Sequence, residues 1–173
     1  MGQKKFAGSI AAVKYIVVGD GAVTLDSAPA QGVAIGVYAP GTLKVSEGIV
    51  VSASSVAGDG VYSGPGRIDL VSGDEIPAPS AKPSEGLVWG LLNGTILRYP
   101  DGFDFSTTTV YLENPATVCA AGTGVLSVDG TPVGKPILQY PAAAAGQTWL
   151  FKWSAEKSGF VVVQKPGLVV ILR

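Results

Sequence analysis

The chain has no histidine, one cysteine and one methionine in 173 residues. Each absence excludes some chemistry. Without histidine there is no imidazole base, nucleophile partner or imidazole metal ligand. A lone cysteine, Cys119, makes no disulfide within the chain. Charge is scarce too. Asp, Glu, Lys and Arg make up 14% of the chain, against about 25% in an average soluble protein. The formal net charge of −1 offers no basic excess for duplex nucleic acid. Long hydrophobic runs are missing. The uncharged stretch Ser27–Leu43 contains two prolines and three glycines. Pro136–Phe151 is broken by Pro141 and Gly146. Neither supplies the roughly 20 apolar residues of a spanning helix. Lys14 cuts short the apolar patch after the basic start, and no small-residue cleavage site follows, so a soluble protein made in the cytosol is expected.

What is abundant is glycine and proline, 24 and 12 residues. They punctuate short runs rich in Val, Ile, Leu, Thr and Tyr, the pattern of strands between turns. The clearest runs are Val13–Val18, Val33–Tyr38, Ile49–Ala53, Arg67–Val71, Leu87–Leu92, Thr95–Tyr99, Thr108–Leu112, Thr148–Trp153, Phe160–Gln164 and Leu168–Leu172. The best helix candidate is Pro141–Thr148, two turns at most. An all-β fold is predicted, as an antiparallel β-sandwich or small β-barrels with negligible helix.

Three hairpins are predicted. Asn93-Gly94 offers the positive φ angles of a type I′ turn between two apolar runs, pairing Leu92 with Thr95 and Val88 with Tyr99. Asp129-Gly130 has the same design, with Pro132 confining that arm to a sheet edge. A third would reverse through Gly19-Asp20-Gly21. Near the C-terminus, Trp149, Phe151 and Trp153 alternate with Leu150 and Lys152, followed by a polar loop and a Val-rich run. Pro77, Pro79 and Pro83 make a stiff connector. It divides the chain into β subdomains 1–75 and 87–173 around residues 76–86, or forms a surface loop of one sandwich over 1–173. Gly-Asp-Gly recurs at 19–21 and 58–60, and Gly122-Thr123-Gly124 echoes it. Because the separations are unequal, shared turn chemistry rather than a regular solenoid is expected.

Candidate chemistry is thin. Asp74-Glu75 and Asp101/Asp104 are the carboxylate groupings a glycosidase or a calcium turn would use, but Pro100-Asp101-Gly102 is also ordinary turn sequence. Leu25-Asp26-Ser27-Ala28 lacks the glycine of an aspartic-protease motif. Ser63 is not in a Gly-x-Ser-x-Gly elbow. Cys119 reads as a buried structural thiol. No catalytic residue, cofactor or metal is assigned. Trp89, Tyr99, Trp149 and Trp153 are the candidates for a glycan-stacking surface, as in a carbohydrate-binding module, and core packing is the competing use of strand aromatics. Lys4, Lys5 and Phe6 form a candidate docking arm. Leu168, Val169, Val170, Ile171 and Leu172 lack polar alternation and read as a strand buried on both faces, hence as an interface.

The stretch VVGDGAVTLDSAPAQGVAIGVY and the recurring Gly-Asp-Gly turns resemble virion structural proteins of tailed phages, of the head-decoration or cement type. The likeness covers the first third of the chain and rests on composition and turn style. It implies a small β protein, acting as a homo-oligomer such as a trimer, bound to a major capsid or other virion protein, with no enzyme activity. A tail, baseplate or fibre component is the alternative role within a virion.

Overall fold

The computed structural model describes residues 4–6, 13–29, 32–79, 86–142 and 148–165. The elements over the first half are β1 (Lys4–Phe6), β2 (Tyr15–Val18), β3 (Ala22–Leu25), β4 (Val33–Val37), β5 (Thr42–Val45), β6 (Val50–Ala57), β7 (Val61–Ser63) and β8 (Arg67–Leu70). They continue with β9 (Glu75–Pro77), β10 (Val88–Leu91), β11 (Ile96–Tyr99) and β12 (Thr109–Tyr111). Helix α1 (Pro115–Ala121) comes next. The last strands are β13 (Gly124–Val128), β14 (Ile137–Gln139), β15 (Trp149–Ser154) and β16 (Gly159–Gln164).

The all-β expectation holds, but the sandwich and the barrels do not. The strands wind as a parallel β-solenoid. A seven-stranded sheet runs β14-β12-β10-β8-β6-β4-β2. A second sheet runs β1-β3-β5-β7, and a third β15-β16-β13-β11-β9. Every pairing in the first two sheets is parallel. Partners lie about one winding turn apart in sequence: Lys4 beside Val23, Ala22 beside Thr42, Thr42 beside Val61, Arg67 beside Val88, Val88 beside Thr109. One turn is longer, setting Thr109 beside Ile137 and Leu97 beside Leu126. The seven residues of α1 account for most of that excess.

Period-2 strands make this winding stable. Alternate side chains point inward, as in the buried, half-buried alternation of β4. Parallel registry then stacks them into columns. Val51, Ile68, Trp89, Val110 and Leu138 form one. Ile16, Ile35 and Val56 form another, and Val23, Leu43 and Tyr62 a third. Ile76, Leu97 and Leu126 continue the pattern in the third sheet.

The predicted hairpins are corners instead. At Asn93-Gly94 both φ angles are positive, 55° and 80°, and Thr95 N–H donates to the Leu92 carbonyl at 2.9 Å. The turn chemistry is as expected, yet β10 and β11 lie in different sheets. Val88 pairs with Arg67 and Thr109, one turn before and after, not with Tyr99. Gly19-Asp20-Gly21 likewise hands the chain from β2 to β3. After Asp129-Gly130 the chain leaves β13, and Val133 bridges Asp104 in parallel. A tight turn between two apolar runs has the same local sequence whether the strands fold back or diverge at a bend.

The winding was visible once one corner is recognised without its Gly-Asp-Gly. Gly19-Asp20-Gly21, Ala39-Pro40-Gly41 and Gly58-Asp59-Gly60 stack as successive corners. Thr42 N–H donates to the Gly21 carbonyl and Val61 N–H to that of Gly41, both at 2.9 Å. The separations counted against a solenoid were unequal because the first spans two turns, with the copy at 39–41 between, and because Gly122 ends α1 and is not a corner of this stack.

One true hairpin occurs where expected. β15 and β16 pair antiparallel, Trp149 facing Gln164 and Ser154 facing Gly159. Trp149 and Phe151 are buried while Leu150 and Lys152 are exposed. β16 also pairs antiparallel with β13 and so ends the parallel stack of the third sheet. Phe105, Phe151 and Trp153 surround Phe160 at ring-centre distances of 5.0, 6.3 and 5.5 Å. They close that end of the core. The seven-stranded sheet passes from β8 to β10 on either side of the 76–86 segment. Pro77 ends β9 at the edge of the third sheet, a position without a required N–H donor there. Residues 143–147 of the predicted helix lie outside the described residues. The described helix is α1, whose Asn114 Oδ1 accepts from Thr117 N–H at 3.1 Å, with Pro115 at its start and left-handed Gly122 at its end. That cap-Pro-Gly signature was readable at Asn114-Pro115.

Gly58 and Gly94 separate two uses of glycine. Gly58 has φ 99°, and a Cβ there would collide with the Val37 carbonyl of the adjoining turn. Gly94 has φ 80° with open space around it. Gly58→Ala is expected to cost about 3 kcal/mol or more, and Gly94→Ala about 1 kcal/mol. Urea unfolding of the two variants checks the order, and equal costs would refute the stacked-corner account.

Candidate functional site

Three of the four candidate surface aromatics are inside the molecule. Trp89 and Tyr99 are each 1% exposed, and Trp149 is buried. Trp153 is half-buried against Phe160. Trp89 occupies a core column and lies 5.6 Å from the Tyr62 ring, centre to centre. Tyr99 packs on Phe103 and Phe105 at 4.4 and 4.9 Å. Inward positions of a narrow solenoid need volume, and these rings supply it. Trp89, Tyr99 and Trp149 thus offer no free face to a sugar.

Three of the candidate carboxylates accept hydrogen bonds within the fold. Asp101 Oδ1 accepts from Thr131 N–H at 2.7 Å. Asp104 Oδ1 accepts from the N–H and hydroxyl of Ser106 at 2.9 and 2.6 Å. Asp26 Oδ1 accepts from the Ser46 hydroxyl one turn on. Glu75 stands on the surface 3.9 Å from Arg98, whose closer partner is Asp129 at 2.7 Å. Asp74 is exposed. The Ser63 hydroxyl donates to the Leu43 carbonyl at 3.2 Å. Cys119 is half-buried on α1, not fully buried as expected. Among the described residues no group of three or more Cys, Asp or Glu is placed to hold a metal ion. Lys4, Lys5 and Phe6 form β1, parallel to β3. Leu168–Leu172 lie outside the described residues. No described helix is long and apolar enough to cross a membrane.

The most organised polar cluster went unpredicted. Arg67, Asp69 and Tyr111 share the outer face of the seven-stranded sheet. Arg67 Nε lies 2.7 Å from Asp69 Oδ1, and Nη2 donates to Oδ2 at 3.1 Å. The guanidinium sits 3.9 Å above the Tyr111 ring centre. Asp69, Gly90 and Tyr111 are neighbours across three strands. The Asp69 carboxylate lies over Gly90, where any Cβ would collide with it. The winding distance of about 21 residues, applied to Asp69, would have found Gly90 and Tyr111. Chemically the cluster is neutralised: the carboxylate is matched by the guanidinium, which is stacked on the ring. It is a brace across strands.

Two buried phenols differ. The Tyr62 hydroxyl donates to the Ala57 carbonyl at 2.7 Å. Burial pushes its pKa up to about 12, against the opposing pull of hydrogen bonds from backbone groups. Burial alone raises Tyr99, and no protein group among the described residues lies within hydrogen-bonding distance of its hydroxyl.

No family model matches the chain, and the curated proteins and solved structures include no significantly similar one.

Tyr62→Phe is expected to lower stability by about 1–2 kcal/mol, and Tyr99→Phe to leave it unchanged or raise it slightly. Urea midpoints decide this, and a larger loss at Tyr99 would show that its hydroxyl has a partner. Both phenols have a higher pKa in the folded state than the ordinary 10.0. Folding therefore favours the protonated form. That contribution is complete below pH 10 and is lost as pH rises from 10 toward 12. Stability measured across this interval should fall, with a smaller fall in the Tyr99→Phe variant.

Proposed function

We propose that the chain is a non-enzymatic structural module of a tailed-phage virion, working as a stiff element of the tail, baseplate or fibre rather than as a flat head decoration. The observation carrying this reading is the register-locked stack of parallel strands. Seven strands in one sheet span about 29 Å at roughly 4.8 Å per step. Such a stack is quasi-one-dimensional, each turn held by its neighbours. It resists bending because sliding one turn would break every column at once. The described polar side chains support the same reading. Several are spent on corners and braces within the stack, as at Asp26, Asp101, Asp104 and Asp69. The resemblance in composition and turn style to virion proteins supplies the setting. A stack of this kind supports a part that extends from a particle over one that covers its shell.

In this role the partners are further copies of the chain and neighbouring virion proteins, and the place of work is the assembled particle. The gene is expected to lie among those for capsid, portal, terminase or tail proteins, and the chain to be found in purified particles by mass spectrometry. A metabolic gene neighbourhood, or particles lacking the chain, would overturn the reading.

A further inference from the structure

We infer that Asn93 is a self-modification site: in the folded chain its side-chain amide is converted to a carboxylate through attack by the Gly94 backbone nitrogen. The chain has two asparagines, Asn93 and Asn114. Such a cyclisation needs an amide free to turn, a following N–H to attack it, and open space around both. Asn114 fails on the first two. Its Oδ1 accepts from Thr117 N–H at 3.1 Å, and Pro115 follows with no N–H to give. Asn93 satisfies all three. Asn93 and Gly94 are exposed at the corner between β10 and β11. Among the described residues nothing hydrogen-bonds the Asn93 side chain or the Gly94 N–H. A Cβ on Gly94 would find no atom within 4 Å. One backbone bond spans the corner, from Thr95 N–H to the Leu92 carbonyl at 2.9 Å. The bonds to the turn before, Leu92 N–H to Leu70 at 3.0 Å and Ile96 N–H to Asp74 at 3.1 Å, lie outside the bend. The Asn93–Gly94 peptide can therefore rotate without breaking the stack.

Corners of similar sequence are held or unreactive. Asp59 accepts from Ala39 N–H at 3.0 Å, Asp101 from Thr131 N–H at 2.7 Å, and Asp129 from Arg98 Nε at 2.7 Å. These three and Asp20 are carboxylates, whose negative charge repels an attacking nitrogen. At Asn93 the step balances with water alone. The Gly94 nitrogen gives its proton to solvent and bonds to Asn93 Cγ. Ammonia leaves with a proton from solvent, and a five-membered imide remains. Water then opens the ring at either carbonyl. One product is aspartate. The other is isoaspartate, in which the main chain runs through the former side chain and is one carbon longer. Either sets a new negative charge at a corner where Asp74 stands exposed one turn before. The longer chain also shifts Thr95, whose Oγ1 accepts from Gly73 N–H at 2.9 Å.

This goes beyond the proposed function, which assigns no modification. The full chain, shown to be folded by far-UV circular dichroism, is kept at mildly alkaline pH and sampled by tryptic digestion and mass spectrometry. Asn93 is the one asparagine of the peptide 68–98, because Lys82 precedes Pro83 and resists cleavage. That peptide should gain about 1 Da and elute as two new species, while the peptide holding Asn114 stays unchanged. A sample unfolded in guanidinium chloride sets the unhindered rate, and the folded chain should convert Asn93 within about tenfold of it. Gly94→Ala places a methyl group beside the attacking nitrogen and should slow conversion about fivefold or more. A folded rate further below the unfolded one, conversion at Asn114 that keeps pace with Asn93, or a Gly94→Ala variant that converts as fast as wild type overturns the site. None of these results bears on gene neighbourhood or particle content, so the structural role stands or falls separately.

Discussion

Registry between successive turns is the constraint on which everything else rests. In a parallel stack, each inward side chain lies on its own counterpart one turn earlier. Val51, Ile68, Trp89 and Val110 show how tolerant such a column is of residue size. They also show how intolerant it is of phase. A slip by one residue in β8 would turn that strand inside out, exposing Ile68 and burying Arg67 in its place. Corner glycines keep the phase. Where Gly58 lies against the Val37 carbonyl, the backbone of one turn sits directly on the next. The long turn keeps phase as well: α1 leaves the stack and returns to it, so Leu126 still lands beside Leu97.

This constraint explains what was legible in the sequence and what was not. Strand positions were legible because they depend on local alternation and punctuation. The strongly patterned runs Val33–Tyr38, Arg67–Val71, Leu87–Leu92 and Thr95–Tyr99 each contain a strand. The C-terminal hairpin was legible because Trp149, Phe151 and Trp153 share one face and a polar loop follows. Pairing direction was not legible from any of these windows. Asn93-Gly94 shows why: its positive φ angles suit both a hairpin and a corner. What decides between them lies about 20 residues away, in whether the next run offers a counterpart for every inward residue.

The site candidates failed for a related reason. Exposed and buried aromatics look alike in a strand sequence, and inward positions of these columns take rings as well as aliphatic side chains. Trp89 and Tyr99 therefore went to the core. Carboxylates near Gly and Pro looked like candidates for chemistry, but corners need acceptors for backbone N–H groups, and Asp101 and Asp104 serve there. The one polar cluster worth notice, Arg67, Asp69 and Tyr111, draws its members from two strands separated by a whole winding turn and more. No local motif could contain it.

Low charge, at 14% of the chain, takes on a different meaning in this architecture. A globular protein needs charge over a closed surface. A solenoid has sides and ends, and only the sides are shielded by the pairing of their own strands. Along the sides, small and hydroxylated residues suffice: Ala34, Ser52, Ser55 and Thr109 are half-buried between their neighbours above and below. The ends are the costly places, and among the described residues β2 and β14 are the strands at the two edges of the seven-stranded sheet. At the C-terminal end the chain reverses a strand, and antiparallel β16 halts the parallel growth of the third sheet while its aromatics seal the core. At β2 no lysine, proline or bulge within the strand blunts the edge. Tyr15 and Val17 stand beside it instead, with Lys14 before and Asp20 after.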